Sequence, residues 1–188
     1  MVSTRNQIIE TTCDLIELQG YHATGLNQII KESGSPKGSL YHHFPGGKEE
    51  LAVVAIRHVG EIVLTRIQEN LAHIENPAEA IRTFIMNIAH HVELSGFRAG
   101  GPITTIALET ASTSVLLREE CQRIYSGWQA AFATKLGTGG MTVERARSLS
   151  ILIIASIEGG VILCRTEQSR TPLEKIAEEI AVLIEHIL

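Results

Sequence analysis

Aromatic side chains are scarce in this chain, with four Phe, three Tyr and one Trp among 188 residues. A core must therefore be filled mainly by Leu, Ile, Val and Ala. No stretch alternates apolar and polar residues over the length of a strand, and no two-residue hairpin signal occurs, which argues against a β fold. Cysteine is scarce too. Cys13, Cys121 and Cys164 are odd in number, widely separated and without metal-like spacing, which argues against a disulfide framework or a structural zinc. Reduced, buried thiols in a cytoplasmic protein are the expectation, with a redox sensor as the alternative. The N-terminus lacks a basic segment followed by an apolar one, so no secretory signal is visible. The most apolar stretch, 149–164, is interrupted by Glu158, Gly159 and Gly160 and is short for a bilayer, so a buried or dimer-forming helix is expected rather than a membrane span. Neither a phosphate-binding glycine loop nor a nucleophile elbow is present, so no catalytic residue is expected and the chain does not read as an enzyme.

What is present is helix grammar. Thr4 with Gln7 reads as a capping box ahead of Ile8, Ile9, Leu15 and Ile16. Asn76-Pro77-Ala78-Glu79 combines a cap, a first-position Pro and an acid three residues on, and Thr171-Pro172-Leu173-Glu174 repeats it. Thr142 can cap the helix that follows. These signals predict an all-α chain with helices near 4–19, 25–33, 36–43, 48–74, 77–95, 102–111, 114–136, 143–168 and 172–187. The division expected is a three-helix head, residues 1–47, followed by a helical body, residues 48–188.

The segment 24–48, TGLNQIIKESGSPKGSLYHHFPGGK, is the most specific part. Thr24 can cap a helix with Leu26, Ile29 and Ile30 on one face. Gly34 can end that helix in the left-handed region. Ser35 can then cap a second helix with Pro36 at its first position. In that second helix Leu40 and Phe44, four apart, turn inward. Lys37, Gly38, Ser39, Tyr41, His42 and His43 are left for the other face, where a surface helix would ordinarily carry Glu/Lys pairs. Small and polar groups in that position suit phosphate oxygens and base edges in a major groove. Lys48, opening the next helix, suits a phosphate. This is helix-turn-helix layout. The bland alternative is a packed helical hairpin with a Tyr/His surface.

Thr24, Ile29, Gly34, Lys37-Gly38, Leu40-Tyr41, His43-Phe44 and Lys48, preceded by Gly20-Tyr21, resemble the N-terminal signature of the tetracycline-repressor (TetR) family. That resemblance covers about a quarter of the chain. PKGSLYHHFPGGKEEL, with GGPITTIALE later, is similar to the lincomycin-resistance and flavonoid-responsive (LmrA/YxaF-like) branch. The resemblance implies a dimeric, all-helical, ligand-responsive regulator of transcription that binds an operator in double-stranded DNA. It implies DNA contacts at Thr24, Lys37, Gly38, Ser39, Tyr41, His42, His43 and Lys48. Three departures stand out. Gly25 replaces the usual Ser or Thr, which removes a phosphate contact. Ser35-Pro36 replaces Val-Ser, and Pro45-Gly46-Gly47 adds a residue before Lys48; both alter helix entry.

Charge bears on this reading. The formal net charge is −5. Residues 1–48 carry four basic and four acidic side chains, so the whole deficit lies in residues 49–188. Specific binding then rests on a few placed groups, with weak non-specific affinity.

In the body, the glycines at 96, 100 and 101 and Pro102 break the chain and restart a short helix, which can open space between longer ones. Phe97, Ile103, Ile106, Trp128, Phe132 and Ile157 are candidate apolar walls of a ligand pocket. His90, Thr104, Thr105, Glu109 and Glu158 are candidate polar handles. The competing reading makes each of them plain core. His90-His91 with Glu93, and His42-His43, do not suit a metal, because adjacent helical residues diverge by about a hundred degrees; neither metal nor other cofactor is expected. The last two helices are apolar on several faces and suit a homodimer of four packed helices, with completion of one subunit's core as the alternative. The reading is a homodimeric, cytoplasmic repressor released by a small, largely apolar inducer. Its alternative is a small-molecule-binding protein or enzyme with a vestigial helix-turn-helix.

Overall fold

The computed structural model describes residues 3–98 and 100–188, with only the backbone of Pro102; Ala99, in the expected 96–101 break, lies outside the described residues. Among the described residues there are nine helices and no strand: α1 Thr4–Gln19, α2 Leu26–Ser33, α3 Lys37–His43, α4 Gly47–His73, α5 Pro77–Leu94, α6 Pro102–Thr110, α7 Val115–Thr138, α8 Val143–Glu167 and α9 Thr171–Glu185. The all-α expectation is met, helix by helix.

Several starts follow the sequence signals. Asn76 accepts the Glu79 N–H at 3.0 Å, and Thr142 accepts the Arg145 N–H at 3.4 Å. Gly34 ends α2 at φ 63°. Other expected caps are displaced. Ser3, not Thr4, caps α1 and accepts the Asn6 N–H at 3.2 Å. Thr171 is itself helical, and Arg170 holds the cap position of α9. Gly25, not Thr24, precedes α2, and Pro36, not Ser35, precedes α3, neither with a side-chain cap. The reason at position 24 is tertiary: the Thr24 hydroxyl donates to the Gly20 carbonyl at 2.7 Å and fixes the turn before α2.

The chain forms two compact units, one of residues 1–62 with 101–124, the other of 63–100 with 125–188. This differs from the linear split at 47/48. Residues 101–124 join the first unit because Ile103, Ile106, Leu117 and Ile124 are buried, and because the Glu120 carboxylate pairs with Arg57 at 2.9 Å. The head's own core is Ile8, Ile9, Leu15, Ile29, Leu40, Phe44 and Leu51.

In the second unit α5, α8 and α9 pack together. Phe84 and Phe132 meet edge to face at 5.6 Å. Gly160 lets α9 approach α8 closely, since a Cβ there would lie 2.6 Å from Leu173. The 149–164 stretch belongs to a 25-residue helix, long and apolar enough by itself to cross a bilayer. One face of it, however, carrying Leu149, Ile153, Ile157, Val161 and Cys164, is buried inside this unit.

Candidate nucleic-acid interface

α3 is held by two side chains. Leu40 and Phe44 are essentially inaccessible in the head core, each worth about 1.5–3 kcal/mol by removal from water. Their burial fixes what faces outward. Lys37, Gly38, Tyr41 and His42 are exposed, with Tyr41 at 45 %, while Ser39 and His43 are half-buried. The His42 and His43 rings meet edge to face at 5.2 Å, and His43 lies against Phe44 at 6.3 Å. The outer face of α3 thus offers one ammonium, a phenol, two imidazoles, a hydroxyl and a residue without a side chain.

Two of the expected contact residues are placed otherwise. Thr24 is only 1 % exposed, with its hydroxyl on Gly20 and its N–H on the Tyr21 carbonyl at 3.2 Å. It supports the turn and has no surface left for a phosphate, which corrects its reading as a contact. Lys48 is half-buried beside the turn. Its ammonium donates to the His22 carbonyl at 3.3 Å and lies 4.4 Å from the centre of the Tyr21 ring. Burial pulls the Lys48 pKa down, against the nearby Glu109 carboxylate that raises it, and burial pushes the Tyr21 phenol up. The α4 N-terminus also carries Glu49 and Glu50, and Glu50 already accepts the Gly46 N–H at 2.7 Å. That helix end is less open to an anion than its sequence suggests.

One cation entered the sequence reading only as a charge. Arg5, in the first turn of α1, places its guanidinium 5.6 Å over the Phe44 ring, beside the end of α3. Its position three residues before the buried Ile8 was the available signal. The Ser35 hydroxyl, just before α3, is buried with no partner. Among the described residues no group of three metal-ligating side chains comes together.

The expected ligand residues are dispersed. His90 is 60 % exposed on α5 and faces Glu93 at 4.0 Å, so it lines no interior site. Phe132 is sealed in the core against Phe84. Ile103 and Ile106 are buried in the first unit, whereas Phe97, Trp128 and Ile157 lie in the second. Trp128 packs edge to face on Tyr125 at 5.3 Å, and the Tyr125 hydroxyl donates to Glu158 at 3.1 Å. A groove of about 570 Å³ between α7 and α8 is lined by Ala130, Ala133, Met141, Ala146 and Ile151, with Gln129, Arg147 and the hydroxyls of Ser126, Thr134 and Ser150 among its polar members. None of the seven expected ligand residues lines it.

The thiols are poor nucleophiles. Burial raises Cys13 to about 12 and Cys121 to about 11, and raises Cys164 as well.

Comparison with known proteins gives two matches that together cover most of the chain. Residues 8–55 match the family described as bacterial regulatory proteins, tetR family. Residues 77–179 match the C-terminal domain described as transcriptional regulator LmrA/YxaF-like. The chain is 47 % identical over 181 residues to the uncharacterized HTH-type transcriptional regulator YxaF of Bacillus subtilis (strain 168), covering 96 % of this chain and 95 % of that one. It is 40 % identical to the HTH-type transcriptional regulator LmrA of the same organism, with 96 % of each chain covered. Among solved structures, a TetR transcriptional regulator from Chloroflexus aurantiacus J-10-FL superposes with a TM-score of 0.79 at 30 % identity, covering 97 % of this chain and 94 % of that one.

Proposed function

Because this chain belongs to the tetR family of bacterial regulatory proteins, we propose that it is a homodimeric repressor which a small molecule releases from its operator. Regulation of transcription comes with the family; the repressor direction, the dimer surface and the inducer are the proposal. The observation that carries it is α3 itself, buried through Leu40 and Phe44 and exposed through Lys37, Gly38, Tyr41 and His42. Residues 1–47 form the DNA-reading part, and each subunit reads one half of a near-palindromic site. Two half-sites one helical turn apart, ~34–36 Å, require a twofold pair of heads.

The dimer forms through α8 and α9. The outer face of α8 leaves Ile151, Leu152, Ile162 and Leu163 about half-exposed, and α9 leaves Val182 so. Gly159 sits on that side with nothing within 4 Å of the place a Cβ would take. An apolar face of this kind is expected to be covered by a twin.

The inducer is a small, largely apolar, flavonoid-like molecule bound in residues 48–188. The branch similarity supports this class, and the Tyr125, Trp128 and Glu158 cluster is the aromatic and hydrogen-bonding group we assign to it. Binding favours a conformation whose heads fit the two half-sites poorly. A differential affinity of ~1.4 kcal/mol changes the odds of operator occupancy tenfold. The protein acts in the cytoplasm, with its thiols reduced.

The test is selection of bound fragments from the source genome, with and without flavonoids. Enrichment of a palindromic site that flavonoid depletes supports the reading. A protein that enriches no fragment contradicts it. Trp128 is the chain's single Trp, so its fluorescence reports on ligand at that cluster.

A further inference from the structure

The end of α6 meets the turn between α1 and α2 by a paired contact. Glu109 accepts the His22 backbone N–H through Oε2 at 2.8 Å, and His22 Nε2 lies 3.3 Å from the Glu109 carbonyl oxygen. Side chain and backbone therefore answer each other in both directions, between residues 87 apart in the chain. The carboxylate fits because residue 20 has no side chain. A Cβ on Gly20 would lie 2.1 Å from Glu109 Oε1, and Gly20 stands at φ +85°.

The contact continues to the start of α4. His22 gives its N–H to Glu109 and its carbonyl to Lys48, so both its backbone groups are taken. The Lys48 ammonium is held at the same time by the Tyr21 ring. Thr24 and Gln19 knit the other side of the turn, to Gly20 and to Ala23 at 2.7 and 3.0 Å. Ile106 and Thr110, on either side of Glu109, are buried and α6 packs on α1, so the backbone at 109 is fixed to the head. A shift of the end of the helix carries the carboxylate with it.

We propose that Glu109 is a positioning residue for DNA binding, and that the end of α6 is a latch which, seated on Gly20 and His22, holds the α1–α2 turn and Lys48 in the arrangement that binds DNA. When α6 shifts, the seat empties, the turn and Lys48 loosen, and operator binding weakens. An effector that moves α6 therefore acts on the head through this contact. The inference rests on the DNA-binding reading above and adds the residue through which that binding is regulated.

The experiment compares wild type, Glu109→Ala, Glu109→Gln and Glu109→Met on a duplex fragment selected with the wild-type protein, by fluorescence anisotropy. The His22 amide is followed in parallel in 1H–15N spectra, since donation to a carboxylate moves that proton downfield and slows its exchange. Glu109→Ala is expected to move the His22 resonance and weaken binding at least tenfold. Glu109→Gln keeps both the length and an acceptor for the same N–H and is expected to recover most of that loss, whereas Glu109→Met, of similar length without an acceptor, is expected not to; equal recovery by Met marks a merely packing role and overturns the latch. Glu109→Ala binding within twofold of wild type, with the His22 resonance displaced, overturns the latch. Should Glu109→Ala fail to fold by circular dichroism, Glu109→Asp, with its carboxylate withdrawn by one methylene, takes its place. A loss beyond fivefold then supports the latch, and a smaller loss overturns it. Wild-type protein that binds no fragment overturns the proposed function instead, while the His22 resonance still reports whether the contact exists.

Discussion

α3 and α8 bury one face each and differ in what they leave outside. α3 is seven residues long and exposes Lys37, Gly38, Tyr41 and His42. α8 is twenty-five residues long and exposes Ile151, Leu152, Ile162 and Leu163. The inner faces are alike, with branched and aromatic side chains excluded from water. The inner face gives a helix its place in the fold, and the outer face selects what it meets. Hydroxyls, rings and a cation match a duplex of phosphates and base edges; aliphatic groups around an open glycine match another protein surface.

The largest effect is expected at the inner face of α3. Leu40→Ala is expected to cost about 2–5 kcal/mol in urea unfolding, because the cavity it leaves lies in the small head core. A cost below 1 kcal/mol would mean that α3 is not held by that side chain.

At the outer face of α8, Ile162→Glu brings like charges together across the twofold interface proposed there. Such juxtaposition costs several kcal/mol, so dimer dissociation is expected to rise about a hundredfold or more while each subunit stays folded. Sedimentation velocity reads this directly. A dimer of undiminished strength would place the interface elsewhere.

The outer face of α3 should behave in the opposite way. Tyr41→Ala is expected to weaken operator binding by about 1–3 kcal/mol and to change stability by less than about 0.5 kcal/mol. Lys37→Ala should in addition flatten the log-affinity against log-salt slope by roughly 0.9 if its ammonium neutralises one phosphate. The same measurement on Lys48→Ala separates a phosphate contact from the role in which the structure finds it, bound to His22 and Tyr21.

The smallest effect concerns the thiols, one each on α1, α7 and α8. Burial raises the Cys13 and Cys121 thiols to about 12 and 11, above the ordinary value of 9.0. Below pH 9 both folded and unfolded chains keep these protons, so no pH dependence arises from them. Between 9 and 12 the unfolded chain loses protons that the folded chain retains, so stability falls as pH rises through that window. Urea unfolding from pH 8 to 11 reads this, and maleimide labelling of the native protein at pH 8 should be slow.

How far the sequence could be read follows the range of the forces involved. Helix boundaries at Gly34, Asn76 and Thr142 were legible because a cap acts within three or four residues. Thr24 and Ser35 were misread because packing beyond the helix start decides where a hydroxyl goes: Thr24 went to the Gly20 carbonyl and Ser35 is buried. The face of α3 was legible because Leu40 and Phe44 are one helical turn apart. Glu109 was not, since its partner lies 87 residues away and the signal in its seat is the missing side chain of Gly20. The body was hardest for a related reason. Large side chains such as Phe132 fill space rather than enclose it. The groove lies instead along Ser126, Ala130, Ala133 and Gly137 of α7, at helical spacing, where small residues leave space open. That row was the legible signal.

In the proposed complex, two copies of α3 present the same face to one duplex. Hydroxyl-radical footprinting of the wild-type protein on its selected fragment tests this most directly. Two protected patches with centres ~34–36 Å apart along the duplex, or a multiple of that, both lost in Tyr41→Ala at the concentration that just saturates the wild-type footprint, are predicted. One isolated patch, or a paired footprint that Tyr41→Ala leaves unchanged, would contradict it.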